Sequence, residues 1–148
     1  MILVIDASVA VKWFVEEERC DLARDVFREG SELTAPDLLL VEVANAMRNK
    51  VRAGQMTLTQ ARDALGKLPS LFDLFIGPRD TLVEAFELAQ TLNHPVADCV
   101  YLACARIMDA VLLTDDETLH SKASAYDAKL TVLRLGDWTL GLPTNPTG

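Results

Sequence analysis

Residues 2–8 read ILVIDAS, and this stretch decides the fold class. A strand with one wet face alternates apolar and polar residues. Ile2–Ile5 does not alternate, so it reads as a strand covered on both faces, as in a parallel sheet. Helical periodicity follows from about Val9 to Phe27, in two pieces broken near EEER, with Gly30 as a stop. ELTAP (32–36) is a short strand ended by Pro36. DLLLVEVANAMRNKVRAG (37–54) is the clearest helix, with Leu40, Val43, Ala44, Met47 and Val51 on one apolar stripe.

Further along, Thr57 or Thr59 caps a helix in TLTQARDALGKL. FDLFIG (72–77), VLLT (111–114) and LTVLRL (130–135) are strands. RDTLVEAFELAQTLN (79–93), PVADCVYLACARIMD (95–109) and DDETLHSKASAY (115–126) are helices. Strands alternate with helices throughout, which predicts an α/β fold with a central, mainly parallel sheet. We assign one domain over 1–135. The tail over 136–148, GDWTLGLPTNPTG, is expected to be loosely attached.

The 148 residues suffice for one domain with one core, and 50% hydrophobic with 24% charged residues is ordinary for a globular protein. No apolar run approaches the ~18 residues needed to cross a bilayer, so no membrane association is expected. Asp6 ends the first run too early for a signal peptide, and a cytoplasmic location is expected. Cys20, Cys99 and Cys104 form no C-x-x-C pair and fit reduced structural thiols. His94 and His120 read as isolated surface or loop residues. The net charge of −8 runs against a nucleic-acid partner unless the acids are concentrated at a metal site and the cations elsewhere.

Ligand sites of open parallel sheets lie beyond the carboxyl ends of the strands. Asp6 follows the first strand, and Asp116 follows VLLT after one residue. Asp98 opens a helix that is otherwise apolar, and Glu42 lies one turn into the helix after ELTAP. Each has a plainer explanation. Asp6 with Ser8, or Thr114 with Glu117, could cap a helix, and Asp98 could answer a helix dipole. Glu42 is flanked by Leu38, Leu39 and Ala46, with Asn45 and Asn49 completing a narrow polar stripe. Carboxylates about 4 Å apart repel by ~4 kcal/mol at an effective dielectric of 20. A divalent cation removes that cost, and all-oxygen ligation suits Mg2+ or Mn2+.

ILVIDASVAVKWF, PDLLLVEVANAMR, HPVADCVYLACA and VLLTDDETL, in this order, resemble PIN-domain ribonucleases, most nearly the VapC-type toxins of toxin–antitoxin pairs. The resemblance runs from about Ile2 to Leu135. It implies a three-layer α/β/α PIN-like fold and metal-dependent hydrolysis of RNA phosphodiester bonds. Asp6 and Asp98 would hold the principal ion. Glu42 and Asp116 would complete the shell or serve a second ion and help to position the attacking water. Ser8 and Thr114 match the family's hydroxyl residues, and Asp115 is an extra acid. A cognate antitoxin and a homodimer are implied by the resemblance alone.

Lys12, Arg48, Lys50 and Arg52 are candidates for contact with RNA phosphates, although basic residues late in a helix also complement its dipole. Trp13 and Phe14 could belong to a partner surface or to the core. A receiver domain would need an acidic pair after the first strand and a lone aspartate after the third, and a phosphatase with an aspartate nucleophile would need D-x-D. DAS supplies neither. A catalytically inactive PIN-fold module that binds RNA or a partner is the remaining alternative.

Overall fold

The computed structural model describes residues 1–127 and 130–138. Five strands, β1 (Ile2–Ile5), β2 (Glu32–Pro36), β3 (Leu74–Ile76), β4 (Val111–Thr114) and β5 (Val132–Arg134), form one sheet in the order β3-β2-β1-β4-β5. Every pairing is parallel. The first strand is therefore the middle one, and Leu3, Val4 and Ile5 have no solvent exposure. That burial on both faces is why ILVI does not alternate.

The helices among the described residues are α1 (Ala7–Ala10), α2 (Cys20–Glu29), α3 (Leu38–Arg52), α4 (Leu58–Lys67), α5 (Leu82–Leu92), α6 (Val96–Ile107) and α7 (Glu117–Tyr126). Parallel strands need right-handed crossovers, and the sheet order reverses after β3. Helices α1–α4 thus share one face and α5–α7 the other, giving three layers. The packing agrees: α1 and α4 lie against α3, and α5 against α6 and α7. Helix α6 spans the middle of the sheet against β1, β2 and β4.

Local details refine the sequence expectations. The first helix begins two residues early, at Ala7, and passes into a 3-10 turn at Val11–Trp13. Thr57 caps α4 in a capping box with Gln60. The buried stripe of α3 centres on Leu39, Val43 and Met47, with Leu40, Ala44 and Val51 only half-buried. The three cysteines are free and buried.

The chain also stays packed past residue 135. Leu135–Asp137 form a 3-10 turn, and Trp138 is 2% exposed within the core. The rest of the expected tail, 139–148, lies outside the described residues. Among the described residues, no helix is long and apolar enough to cross a membrane.

Candidate metal centre

The register of β1 against β4 pairs Ile5 with Leu113, and the Asp6 N–H extends the ladder to the Leu113 carbonyl at 3.0 Å. Asp6 and Thr114 therefore emerge side by side at the carboxyl edge of the sheet. Asp6 stands at the N-cap position of α1, but its side chain makes no capping bond. Its Oδ2 instead accepts the Ser8 hydroxyl at 2.6 Å and the Thr114 hydroxyl at 2.8 Å. Asp6 is 7% exposed, so a carboxylate is fixed in angle and largely cut off from water.

Three other acids face the same edge. Glu42 lies one turn into α3, and its Oε1 accepts the hydroxyl of buried Tyr101, from α6, at 2.5 Å. Asp98 stands in the first turn of α6. Asp116 is the N-cap of α7, its Oδ1 accepting the Leu119 N–H at 3.0 Å, and its own N–H donates to Thr114 Oγ1 at 3.0 Å. Asp116 thus has the helix-start role that its sequence context allowed and a place at the site as well. The Thr114–Glu117 capping box does not form, because Asp116 is the N-cap and the Thr114 hydroxyl oxygen accepts the Asp116 N–H instead.

Asp6, Glu42 and Asp98 feel one another's charge. Burial pushes the Asp6 carboxyl up, the hydroxyls of Ser8 and Thr114 oppose this, and the charge of Asp98 adds to it. Burial likewise raises Glu42, against the Tyr101 bond and with the charges of Asp6 and Asp98. No lysine or arginine among the described residues pairs with any of the four acids. Cations of the surrounding elements are occupied elsewhere: Lys12 by Glu17 at 3.0 Å and Asp115 at 3.5 Å, Lys50 by Glu17 at 2.6 Å, and Arg19 by Asp115 at 2.8 Å. A carboxylate cluster with Asp6 buried, its other members half-buried and no lysine or arginine partner is a donor set that fits a divalent ion.

Asp115 is therefore not part of the cluster. Both its oxygens are taken by Arg19, at 2.8 and 3.0 Å, while the Ser8 hydroxyl accepts its N–H. Lys12 is buried rather than presented to solvent. Lys50 is held to Glu17, whereas Arg48 and Arg52 are exposed on α3. Asn45 is exposed on the same helix, one turn beyond Glu42. Trp13 packs between Phe27 and Phe72 and donates to the Ala23 carbonyl at 2.9 Å, so it belongs to the core, while Phe14 is half-buried.

Two residues at the site escaped the sequence reading. Tyr101 carries no signal, because its partner lies 59 positions away. His94 is not a surface residue: its side chain is 7% exposed, and its Nε2 lies 2.8 Å from Asp98 Oδ2. One donor atom each from His94, Asp98 and Asp116 fall within 4.8 Å of one another. The i, i+4 spacing of His94 and Asp98 could have revealed this pair.

The sequence profile of the PIN domain matches residues 3–125. Ribonuclease VapC3 of Pyrobaculum aerophilum is 33% identical over 127 residues, covering 84% of this chain and 97% of that protein. Ribonuclease VapC1 of Mycobacterium tuberculosis is 32% identical over 118 residues, covering 78% and 86%. Among solved structures, PAE2754 from Pyrobaculum aerophilum superposes with a TM-score of 0.68 at 21% identity, over 92% of this chain and 93% of that one. VapBC2 from Rickettsia felis, bound to a DNA fragment from its promoter, gives a TM-score of 0.65 at 14% identity, over 94% and 100%.

Proposed function

From the premise that the chain belongs to the PIN domain family, and within it to the VapC type, we propose that it is a metal-dependent endoribonuclease, the toxin of a toxin–antitoxin pair. The observation that carries this reading is the place of Asp6: a buried carboxylate, pushed up by burial and further by the charge of Asp98, with hydroxyl donors and no lysine or arginine partner among the described residues. Mg2+ or Mn2+ is the ion that suits such oxygen ligands.

Asp6 and Asp98 would hold the ion, with Glu42 and Asp116 completing the set. When bound, the ion polarises the phosphoryl oxygens and makes a nearby water more acidic. The chain's own contribution is position and proton transfer. Ser8 and Thr114 fix the angle of the Asp6 carboxylate, and Thr114 also anchors the Asp116 backbone. Tyr101 holds Glu42 Oε1 and leaves Oε2 to accept a proton from the attacking water. A carboxylate pushed upward by burial is better matched to that task at neutral pH than a solvated one. Arg48 and Arg52 are the exposed cations of α3 that would meet RNA phosphates. A cytoplasmic location, an antitoxin partner and a homodimer complete the proposal.

The test is cleavage of a mixed RNA pool by the purified protein in Mg2+, Mn2+ or EDTA, beside Asp98→Asn shown by circular dichroism to fold. Ion-dependent cleavage that the variant loses is the expected result. Cleavage that survives both EDTA and the substitution would refute the reading. RNA binding without cleavage by the wild type, weakened in Asp6→Asn, would instead identify a non-catalytic module.

A further inference from the structure

Beside the oxygen ligands of the acidic centre stands a nitrogen. We infer that His94, Asp98 and Asp116 form a mixed nitrogen–oxygen cation position that discriminates Mn2+ from Mg2+. This rests on the ion-binding reading above and adds to it a ligand and a selectivity.

The first observation is the state of His94. Its Nε2 is buried and, among the described residues, makes no hydrogen bond. It nevertheless lies 2.8 Å from Asp98 Oδ2, so the two atoms approach without the alignment of a ring N–H pointing at its acceptor. A nitrogen shut away from water and left unbonded is costly, and a ligand is the usual remedy. The second is the spacing of the three donors, all within 4.8 Å of one another. An ion with bonds of about 2.1 Å sets cis ligands ~3 Å apart and trans ligands ~4.2 Å apart. From the full 4.8 Å, a trans pair would close by about 0.6 Å and a cis pair by about 1.8 Å to meet on one ion.

The third observation is that His94 is held in place. The chain turns there between α5 and α6, with Asn93 in the left-handed conformation at φ 50° on one side and Pro95 on the other. The His94 N–H donates to the Ala89 carbonyl at 3.2 Å. Lys122 Nζ, from α7, donates to the Asn93 carbonyl at 2.7 Å. The turn carrying His94 is thus tied to the helix whose N-cap is Asp116.

The selectivity follows from ligand chemistry. Mg2+ prefers oxygen and dehydrates reluctantly, whereas first-row transition ions accept imidazole readily. An imidazole in the set favours Mn2+ without excluding Mg2+ at the all-carboxylate positions. The competing account is that His94 only donates a proton to Asp98 and touches no ion.

The experiment uses the full chain, as wild type, His94→Gln, His120→Asn and Asp98→Asn, each checked by circular dichroism. Free Mn2+ is counted by electron paramagnetic resonance, Mg2+ is measured by competition, and pulsed measurements on bound Mn2+ detect coupled 14N. We expect nitrogen coupling in the wild type and in His120→Asn, which removes the only other histidine. His94→Gln should abolish the coupling and weaken Mn2+ binding about tenfold or more, with Mg2+ affinity changed less than about threefold. Absence of nitrogen coupling in the wild type, or its persistence in His94→Gln, overturns the inference. If Asp98→Asn still loses both ions in that case, the nuclease reading stands. If the wild type binds neither ion, both fall together. The wild type and His120→Asn decide the matter even if His94→Gln does not fold.

Discussion

Thr114 donates its hydroxyl to Asp6 across the β1–β4 pairing, at 2.8 Å and over 108 positions of sequence. The same oxygen accepts the Asp116 N–H at 3.0 Å, so one buried hydroxyl sets two of the four acids. Thr114→Val keeps the shape and removes that oxygen. We expect a loss of about 1–3 kcal/mol in stability, read from a denaturant midpoint. Ion affinity should fall about tenfold by titration calorimetry. An unchanged ion affinity would show that Thr114 is only packing.

The charge state of the acids sets a pH dependence with a definite sign. Asp6 and Glu42 are both raised in the folded protein, chiefly by burial. Their contribution to stability is therefore full below the unfolded carboxyl range of about 4, and is lost as pH rises through the raised folded values. In EDTA at pH 7, Asp6→Asn should melt above the wild type, by about 3 °C for each kcal/mol relieved. At pH 4 the difference should shrink. Glu17 works in the opposite sense: burial would raise it, but its bonds to Lys50 and Lys12 bring it below its ordinary value. The comparison with Asp6→Asn, rather than the wild-type curve alone, isolates the site. Equal melting temperatures at both pH values would contradict the expectation.

Tyr101→Phe tests how Glu42 is held. The Tyr101 hydroxyl is itself pushed up by burial and by the neighbouring carboxylates, so it stays protonated and donates. Removing it deletes the one contact that favours ionised Glu42. The acid limb of the cleavage profile should move to higher pH, with a rate about tenfold lower at pH 7 that recovers in part as pH is raised. A lower rate with an unmoved limb would mean that the hydroxyl is not acting through Glu42.

Asp115 and Asp116 are adjacent, yet they should respond differently. Asp115→Asn leaves Arg19 and buried Lys12 short of a partner, at a cost of about 1–3 kcal/mol. Its ion affinity should stay within about twofold of wild type, whereas Asp116→Asn should lose about tenfold or more. Calorimetry on the two variants decides it, and equal losses would place Asp115 in the centre.

The contrast between those two residues shows what a sequence can carry. Ile2–Ile5 was legible because a strand buried on both faces has to be apolar throughout. The places of Asp6, Glu42, Asp98 and Asp116 in the fold were legible because strand ends and helix starts can be located from local patterns. The direction in which Asp115 points was not, because Arg19 reaches it from 96 positions away. Lys12 looked like a free cation for the same reason, since its partners depend on how the chain folds back after Trp13. The α3 stripe was displaced toward Leu39 because its orientation depends on what α3 packs against rather than on its own periodicity. His94 does lie in the connecting loop before Pro95, but beyond its i, i+4 spacing nothing local shows that this loop tucks its side chain against Asp98.

The sheet order has a consequence for how the protein comes into being. With β1 in the middle, this strand must wait for β4, more than a hundred residues later, before its second edge is paired. Such long-range pairing slows folding, and synthesis runs at about 5–20 residues per second. A chain halted before Val111 lacks both Thr114 and Asp116 and leaves Asp6 with Ser8 as its sole hydroxyl donor. The acidic centre thus assembles only after β4 and Asp116 have been made, and shorter nascent fragments on the ribosome are without it.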